Sequence, residues 1–367
     1  MTNILYICEM PAFHVSNEVY LLSKNGYNVI VLNVFKTPRT EISNNNGIED
    51  VKLINLYEWL PFYPSIKYLP FYTCFLNKST LQTIIKDHNV EMIYSSWSSM
   101  VLPEAALIKR LYPNIRWVHR FLMYPASLNK TKVLVENISV WRYLKYADHV
   151  MVHTKNMRNY LTKHVHHRLK NSSVVIEKFN ESYFCESNME KFSAIDSKFH
   201  LIFIGSINNS NDTTGLHELI EKLSDNIIVH LLNSKASKKL HASFSKKVNL
   251  FEKKRIGNEL TCFLKKFDGI IALYPKEISS SDRVNNVIPN RISLALPSMT
   301  PIFIPQEQLI GAQDQLNGIT RIFTFHSAQH LEDLLRSTRK TDQPINRENL
   351  QLGDEFIDIL LHNKTPN

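Results

Sequence analysis

The chain has 367 residues, more than one ordinary core supports and enough for two domains of about 150 to 200 residues each. Its 44% hydrophobic and 21% charged content is that of a globular protein, and no run approaches the roughly 18 to 20 apolar residues of a membrane-spanning helix. Lys plus Arg number 43 against 34 acids, a formal charge of +9 that favours an anionic partner or serves as general solubility charge, while only nine glycines, none clustered, argue against a P-loop or dinucleotide cradle.

Along the chain, Asn3 to Cys8 is a short apolar run without a basic flank or a small-residue cleavage site before it. It reads as a first strand rather than a signal peptide. A loop from Glu9 to His14 leads into a helical segment through Lys24, Asn25-Gly26 closes it, and Tyr27 to Val34 reads as a second strand. Strand, helix and strand with short connections open a parallel sheet. The alternation recurs with strands at Val51 to Leu56, Met92 to Ser95, Ile115 to His119 and His149 to His153. The helices between them are predicted at Leu76 to His88, Leu102 to Leu111 and Ser139 to Tyr146. Cys8, Cys74, Cys185 and Cys262 are far apart with no C-x-x-C pair, which predicts unpaired thiols in a reducing compartment and no zinc site.

Periodicity fades in the polar stretch 186–198, a predicted linker between domains 1–185 and 199–345. The alternation then restarts with strands at Phe199 to Ile204, Ile227 to Leu232, Val248 to Phe251, Gly269 to Tyr274 and Pro301 to Ile304. Helices are predicted at His217 to Leu223, Leu260 to Lys266 and from Asn290. A last amphipathic helix, Leu350 to Leu361 within 346–367, is expected to pack back on the first domain. The fold class is therefore α/β, two doubly wound Rossmann-like domains facing a cleft, with ligands beyond the carboxyl ends of the strands.

The order of features in the second half is specific. A strand runs into Gly205-Ser206, a later one ends at Tyr274-Pro275, and Pro289-Asn290-Arg291 opens a helix before Pro301. This resembles the donor-binding domain of GT-B glycosyltransferases, where a P-N-K/R-x-x-E-x-x-A-x-G-x-P segment opens a helix against the nucleotide sugar. In the first half, Arg116 to His119 and Ala147 to Val152 are similar to the strand carrying a cleft-facing histidine and to the A-D-x-V-I-V segment. The likeness is to bacterial polysaccharide and lipopolysaccharide glycosyltransferases. It implies a nucleotide-sugar donor, a saccharide or lipid-linked acceptor, no cofactor, no metal and no nucleic acid. It also implies a cytoplasmic protein at the inner face of the plasma membrane. Three positions depart from the family pattern. Leu294 and Asn286 stand where a pair of carboxylates is usual, and Met299 stands where the motif has glycine; Pro297 should also shorten or kink the helix.

Glycosyl transfer requires charge neutralised on the departing diphosphate, and Arg or Lys with backbone N–H groups at a helix start supply that. Arg291 is placed for this role, since a guanidinium forks two phosphate oxygens. Arg283 or Lys276, flanking the same loop, is the candidate second cation. Gly205 and Ser206 let backbone approach a phosphate, or simply end a strand. Tyr274 either flanks the base or packs in the core. Asn286, Pro289, Asn290 and Ser293 complete the donor set. On the acceptor side, Glu9 or His119 is the candidate base if the reaction inverts, and His14 lines the same loop. If it retains, the leaving phosphate assists and no base is needed. The aromatic stretch Tyr57 to Tyr72 with Lys67, and seven Lys or Arg against the single acid Asp148 between Arg142 and Lys170, suit an anionic membrane surface. Other functions compatible with the fold are a sugar-nucleotide epimerase and an inactive sugar- or nucleotide-binding relative.

Overall fold

The computed structural model describes residues 2–9, 13–36, 51–58, 78–179, 181–204, 214–252, 257–274, 279, 281–339, 347–351 and 354–362. The chain forms two compact units, Met1–Asn180 with Leu352–Asn367, and Glu181–Gln351.

The first unit is built on β1 (Asn3–Cys8), β2 (Asn28–Lys36), β3 (Lys52–Glu58), β4 (Met92–Trp97), β5 (Arg116–Phe121), β6 (His149–Val152) and β7 (Ser173–Val174). All pair in parallel, in the order β3-β2-β1-β4-β5-β6-β7. Parallel strands carry helices on both faces, so β1 reads as an unbroken apolar run, with Ile4 to Cys8 fully buried. Helix Phe13–Lys24 ends at Gly26, whose φ of 81° is open to glycine at little cost. The carboxyl-terminal helix Asp354–His362 supplies Phe356, Ile357, Ile359 and Leu360 to the same core as Ile4 and Tyr6.

That core holds a buried ion pair. The Arg120 guanidinium on β5 meets the Glu18 carboxylate, which also accepts the Tyr6 hydroxyl, and Arg120 donates a second bond to the Val175 carbonyl at 3.2 Å. The Phe356 ring lies 5.7 Å from the guanidinium carbon. Burial disfavours the Arg120 charge, but Glu18, Tyr94 and Glu177 outweigh it, and the net direction is towards the charged form.

The second unit carries β8 (Phe199–Phe203), β9 (Ile227–Leu232), β10 (Val248–Phe251), β11 (Gly269–Ile271), β12 (Ile302–Pro305) and β13 (Ile322–Phe325). These too are parallel, ordered β10-β9-β8-β11-β12-β13. At Gly269 an added Cβ would overlap the Phe303 ring, so glycine lets β11 and β12 approach. The polar stretch 186–198 belongs to this unit and contains a short helix, Ser193–Asp196.

Two sequence expectations are corrected here. Cys185 and Cys262 are joined in a disulfide, 77 residues apart in sequence with Cα atoms 5.1 Å apart. Helix Gly257–Leu264 packs beside Glu181–Tyr183, and Asn258 donates to the Phe184 carbonyl at 2.9 Å, closing that distance. Helix Lys130–Leu144 starts well before Ser139, capped by Asn129, which accepts from the Lys132 amide at 3.1 Å. Cys74 and the aromatic residues Trp59 to Tyr72 lie outside the described residues.

Candidate functional sites at the two switch points

In the second sheet the chain runs outward from β8 through β9 and β10, then returns to β11 on the other side of β8. The β8/β11 boundary is thus a topological switch point, where open sheets of this class bind ligands beyond the strand ends. Arg291 sits there. Its guanidinium carbon is 5.2 Å from the Phe203 ring centre, at the end of β8, and 4.4 Å from that of Tyr274, just past β11. One nitrogen donates to the Leu273 carbonyl at 3.2 Å. Two ring contacts and the Leu273 carbonyl hold the guanidinium among the described residues, and a guanidinium has further N–H donors with which to fork an anion.

Helix Asn290–Ser293 brings Arg291 to this place, with the buried Pro289 as its N-cap. It stops after one turn because Pro297 lacks the N–H that would reach the Ser293 carbonyl and its ring would crowd that oxygen. A 3-10 turn, Leu296–Ser298, follows and ends at Met299 with φ 57° and ψ 16°. A left-handed conformation at a non-glycine residue costs about 1–2 kcal/mol, so the backbone keeps the form that the glycine of the family motif would favour.

The surroundings are tied tightly. Gln308 clamps Tyr274 from both sides, accepting from its amide at 2.7 Å and donating to its carbonyl at 3.0 Å. Leu309, fully buried at φ 55°, donates its amide to Asn285 Oδ1 at 3.1 Å. Strained backbone held in this way is concentrated at functional sites. Burial raises the Tyr274 pKa, and the charges of Arg291 and Arg283 oppose the rise, so both guanidinium groups act on the same phenol. Asn286 and Ser293 are buried, and the Ser293 hydroxyl has no hydrogen-bond partner among the described residues. Asn290 is exposed. Gly205, Ser206 and Lys276 lie outside the described residues.

The first sheet has its switch point between β1 and β4. Glu9 follows β1 and Ser98 follows β4, and the serine hydroxyl donates to the glutamate at 3.1 Å across that boundary. Trp97, with φ 113°, turns the chain there, and its carbonyl accepts the amides of Leu122 and Met123 at 2.9 and 3.0 Å. Next in line, Ser99 donates to Glu136 at 2.5 Å. The His14 side chain is outside the described residues. Phe203, Gln308 and Ser98 were not anticipated from sequence; only the strand order exposes them.

His119 departs from its expected position at a strand end. β5 continues through Arg120 and Phe121, and His119 is fully buried. Its Nδ1 is 2.8 Å from the Ser95 hydroxyl, which also accepts the Trp117 indole N–H at 2.8 Å, and its ring packs edge-on to Phe121. Burial, opposed only by a Ser95 backbone group, lowers its pKa to about 3. A ring of that basicity does not collect a proton at neutral pH.

Burial also lowers His153 to about 3, helped by Arg120, and His230 to about 3, helped by His200. Above the unfolded histidine pKa of about 6.5 both states are neutral and stability is flat; below it the unfolded chain takes up protons that the native state refuses. Stability is therefore lost as pH falls from about 6.5 towards 3, by about 2 kcal/mol per histidine at pH 5. Denaturant titrations near pH 5 should show about two or more protons taken up on unfolding the first unit (His119 and His153, with His149 also lowered by burial) and about one on unfolding the second. A slope of less than one proton for the first unit would contradict these burial-driven shifts.

No protein-family model matches the sequence, and no curated protein matches it. Solved structures match over nearly the whole chain. A glycosyltransferase from Rickettsia africae superposes with a TM-score of 0.68 at 14% identity, covering 99% of each chain. Anabaena HepE in complex with UDP gives 0.65 at 12% identity, covering 98% of this chain and 95% of its own. Sucrose-phosphate synthase from Thermosynechococcus elongatus gives 0.62 at 13% identity, covering 99% and 98%. The chain has the GT-B fold.

Proposed function

We propose that this protein is a glycosyltransferase that moves a sugar from a nucleotide-sugar donor to a cell-surface polysaccharide or lipid-linked saccharide acceptor. The observation that carries the reading is Arg291, stacked between Phe203 and Tyr274 at the switch point of the second sheet. In support, HepE, of the same fold, is solved with UDP and with UDP-glucose.

In this reading the second unit binds the donor. The N–H groups of Arg291 fork the diphosphate, Arg283 or Lys276 adds the second cation, and Gly205-Ser206 gives backbone N–H groups to a phosphate. Tyr274 flanks the base, and Pro289 and Asn290 fix the helix start. Asn286 and Ser293 supply neutral polar groups near the place where related enzymes use carboxylates, which suits a donor whose ribose is held without a charged acceptor. The first unit presents the acceptor at Glu9 and His14. The acceptor hydroxyl attacks the anomeric carbon as the bond to the diphosphate oxygen breaks and the leaving group keeps the electron pair. In an inverting reaction the hydroxyl proton passes to the Glu9 carboxylate; in a retaining one it passes to the leaving phosphate. The test is incubation with a panel of nucleotide sugars and saccharide acceptors, reading nucleotide release. Release from one donor class supports transfer; stabilisation by oligonucleotides alone would overturn it.

A further inference from the structure

Helix Lys130–Leu144 has two unlike faces. Its inner face is bolted down: Glu136 accepts the Ser99 hydroxyl and, at 3.0 and 3.1 Å, the Ala126 amide, and Asn137 accepts the Tyr124 hydroxyl at 2.7 Å. The helix therefore cannot roll to bury its other side, where Leu134 is 60% exposed, Val135 42% and Ile138 71%, with Leu128 just before it at 46%. Four of the six exposed large hydrophobics among the described residues fall in this one stretch. Clustering of that kind marks an interaction surface rather than scattered exposure.

The chemistry around the stripe is cationic. Lys130, Lys132 and Lys145 are exposed on the same helix and just past it. Trp141 stacks flat on His166, with ring centres 3.7 Å apart, which places the exposed Lys163, Arg168 and Lys170 beside the helix. From Lys130 to Lys170 there are nine Lys or Arg and two acids. Of those acids, Glu136 is buried and Asp148 is paired with Lys109 at 2.7 Å. A second copy of the chain would bring this field against itself, a like-charge contact that disfavours a symmetric dimer here.

We infer that this helix and its basic flank dock the first unit on an anionic bilayer. The apolar stripe enters the headgroup boundary while the lysines and arginines meet lipid phosphates. No helix among the described residues is long and apolar enough to cross a membrane. The inner face touches Ser99, next to the serine that holds Glu9, so docking would bring the acceptor loop close to a lipid-anchored substrate. The docking claim itself does not depend on the donor reading.

The experiment is co-sedimentation of the full chain with vesicles of phosphatidylcholine alone and of phosphatidylcholine with phosphatidylglycerol, at low and high salt. Binding is expected only to the anionic vesicles, weakened by salt. The double variant Leu134→Glu/Ile138→Glu should bind about ten-fold more weakly or not at all, because charge on the inserted face opposes burial. Both positions are exposed, so its thermal midpoint and its nucleotide binding should match the parent, which separates a docking failure from a failure of the donor site. Absent or equal partition into both vesicle types, or undiminished binding by the variant, would overturn the inference. So would a concentration-dependent dimer that Ile138→Glu dissolves.

Discussion

Replacing Arg291 by alanine is expected to lower kcat about 10²–10³-fold, the loss seen when one preorganised donor to developing charge is removed. The guanidinium is held by two rings and the Leu273 carbonyl, so in the proposed reaction its N–H groups would need little reorganisation as a diphosphate departs. The loss should therefore appear in the chemical step as well as in donor binding. Arg291→Lys keeps the charge but loses the fork and the flat stack, and is expected to fall between the two. Steady-state kinetics with a cognate donor check this. Rates within a few-fold of the parent for Arg291→Ala would remove the residue from the mechanism.

The second large effect is on stability. Glu18→Ala should destabilise the first unit by about 3–5 kcal/mol, because it removes the carboxylate that the buried Arg120 guanidinium is paired and hydrogen-bonded with. The residue also loses its bond from the Tyr6 hydroxyl. The pair joins helix Phe13–Lys24 to β5, and through Val175 and Phe356 to β7 and the carboxyl-terminal helix, so the loss should be felt by the whole unit. Removing both charges, as in Glu18→Leu/Arg120→Met, should recover much of the loss, since the pair itself is worth little beyond apolar packing. Denaturant unfolding measures both. A cost under about 1 kcal/mol for Glu18→Ala would show that water reaches Arg120.

Much of the fold was legible because buried parallel strands are plain apolar runs: Ile227–Leu232 and Val248–Phe251 have the bounds their composition predicts. Helix Lys130–Leu144 was cut short for a physical reason. Leu134, Val135 and Ile138 face outward while Val140 and Leu144 face inward, so no single apolar stripe runs its length. His119 was misplaced because Arg120 looks like a strand terminus until its charge is matched by Glu18, 102 residues away. The Cys185–Cys262 bond likewise depends on packing that no spacing encodes. Helix Ala328–Thr338 carries a signal that could have found it, a Ser327 cap followed by Leu331 and Leu335 at helical spacing. At the candidate site, the motif located Arg291, but its partners Phe203, Tyr274 and Gln308 meet only through the strand order.

Calorimetric titration of nucleoside diphosphates into the intact protein and into Arg291→Ala tests the proposed phosphate-binding role of Arg291 most directly. One diphosphate should bind the parent at a single site and lose about ten-fold or more of its affinity in the variant, the worth of a charge-assisted fork. Equal affinity in the two proteins would mean that the phosphates are held elsewhere and that the β8/β11 switch point is not the donor site.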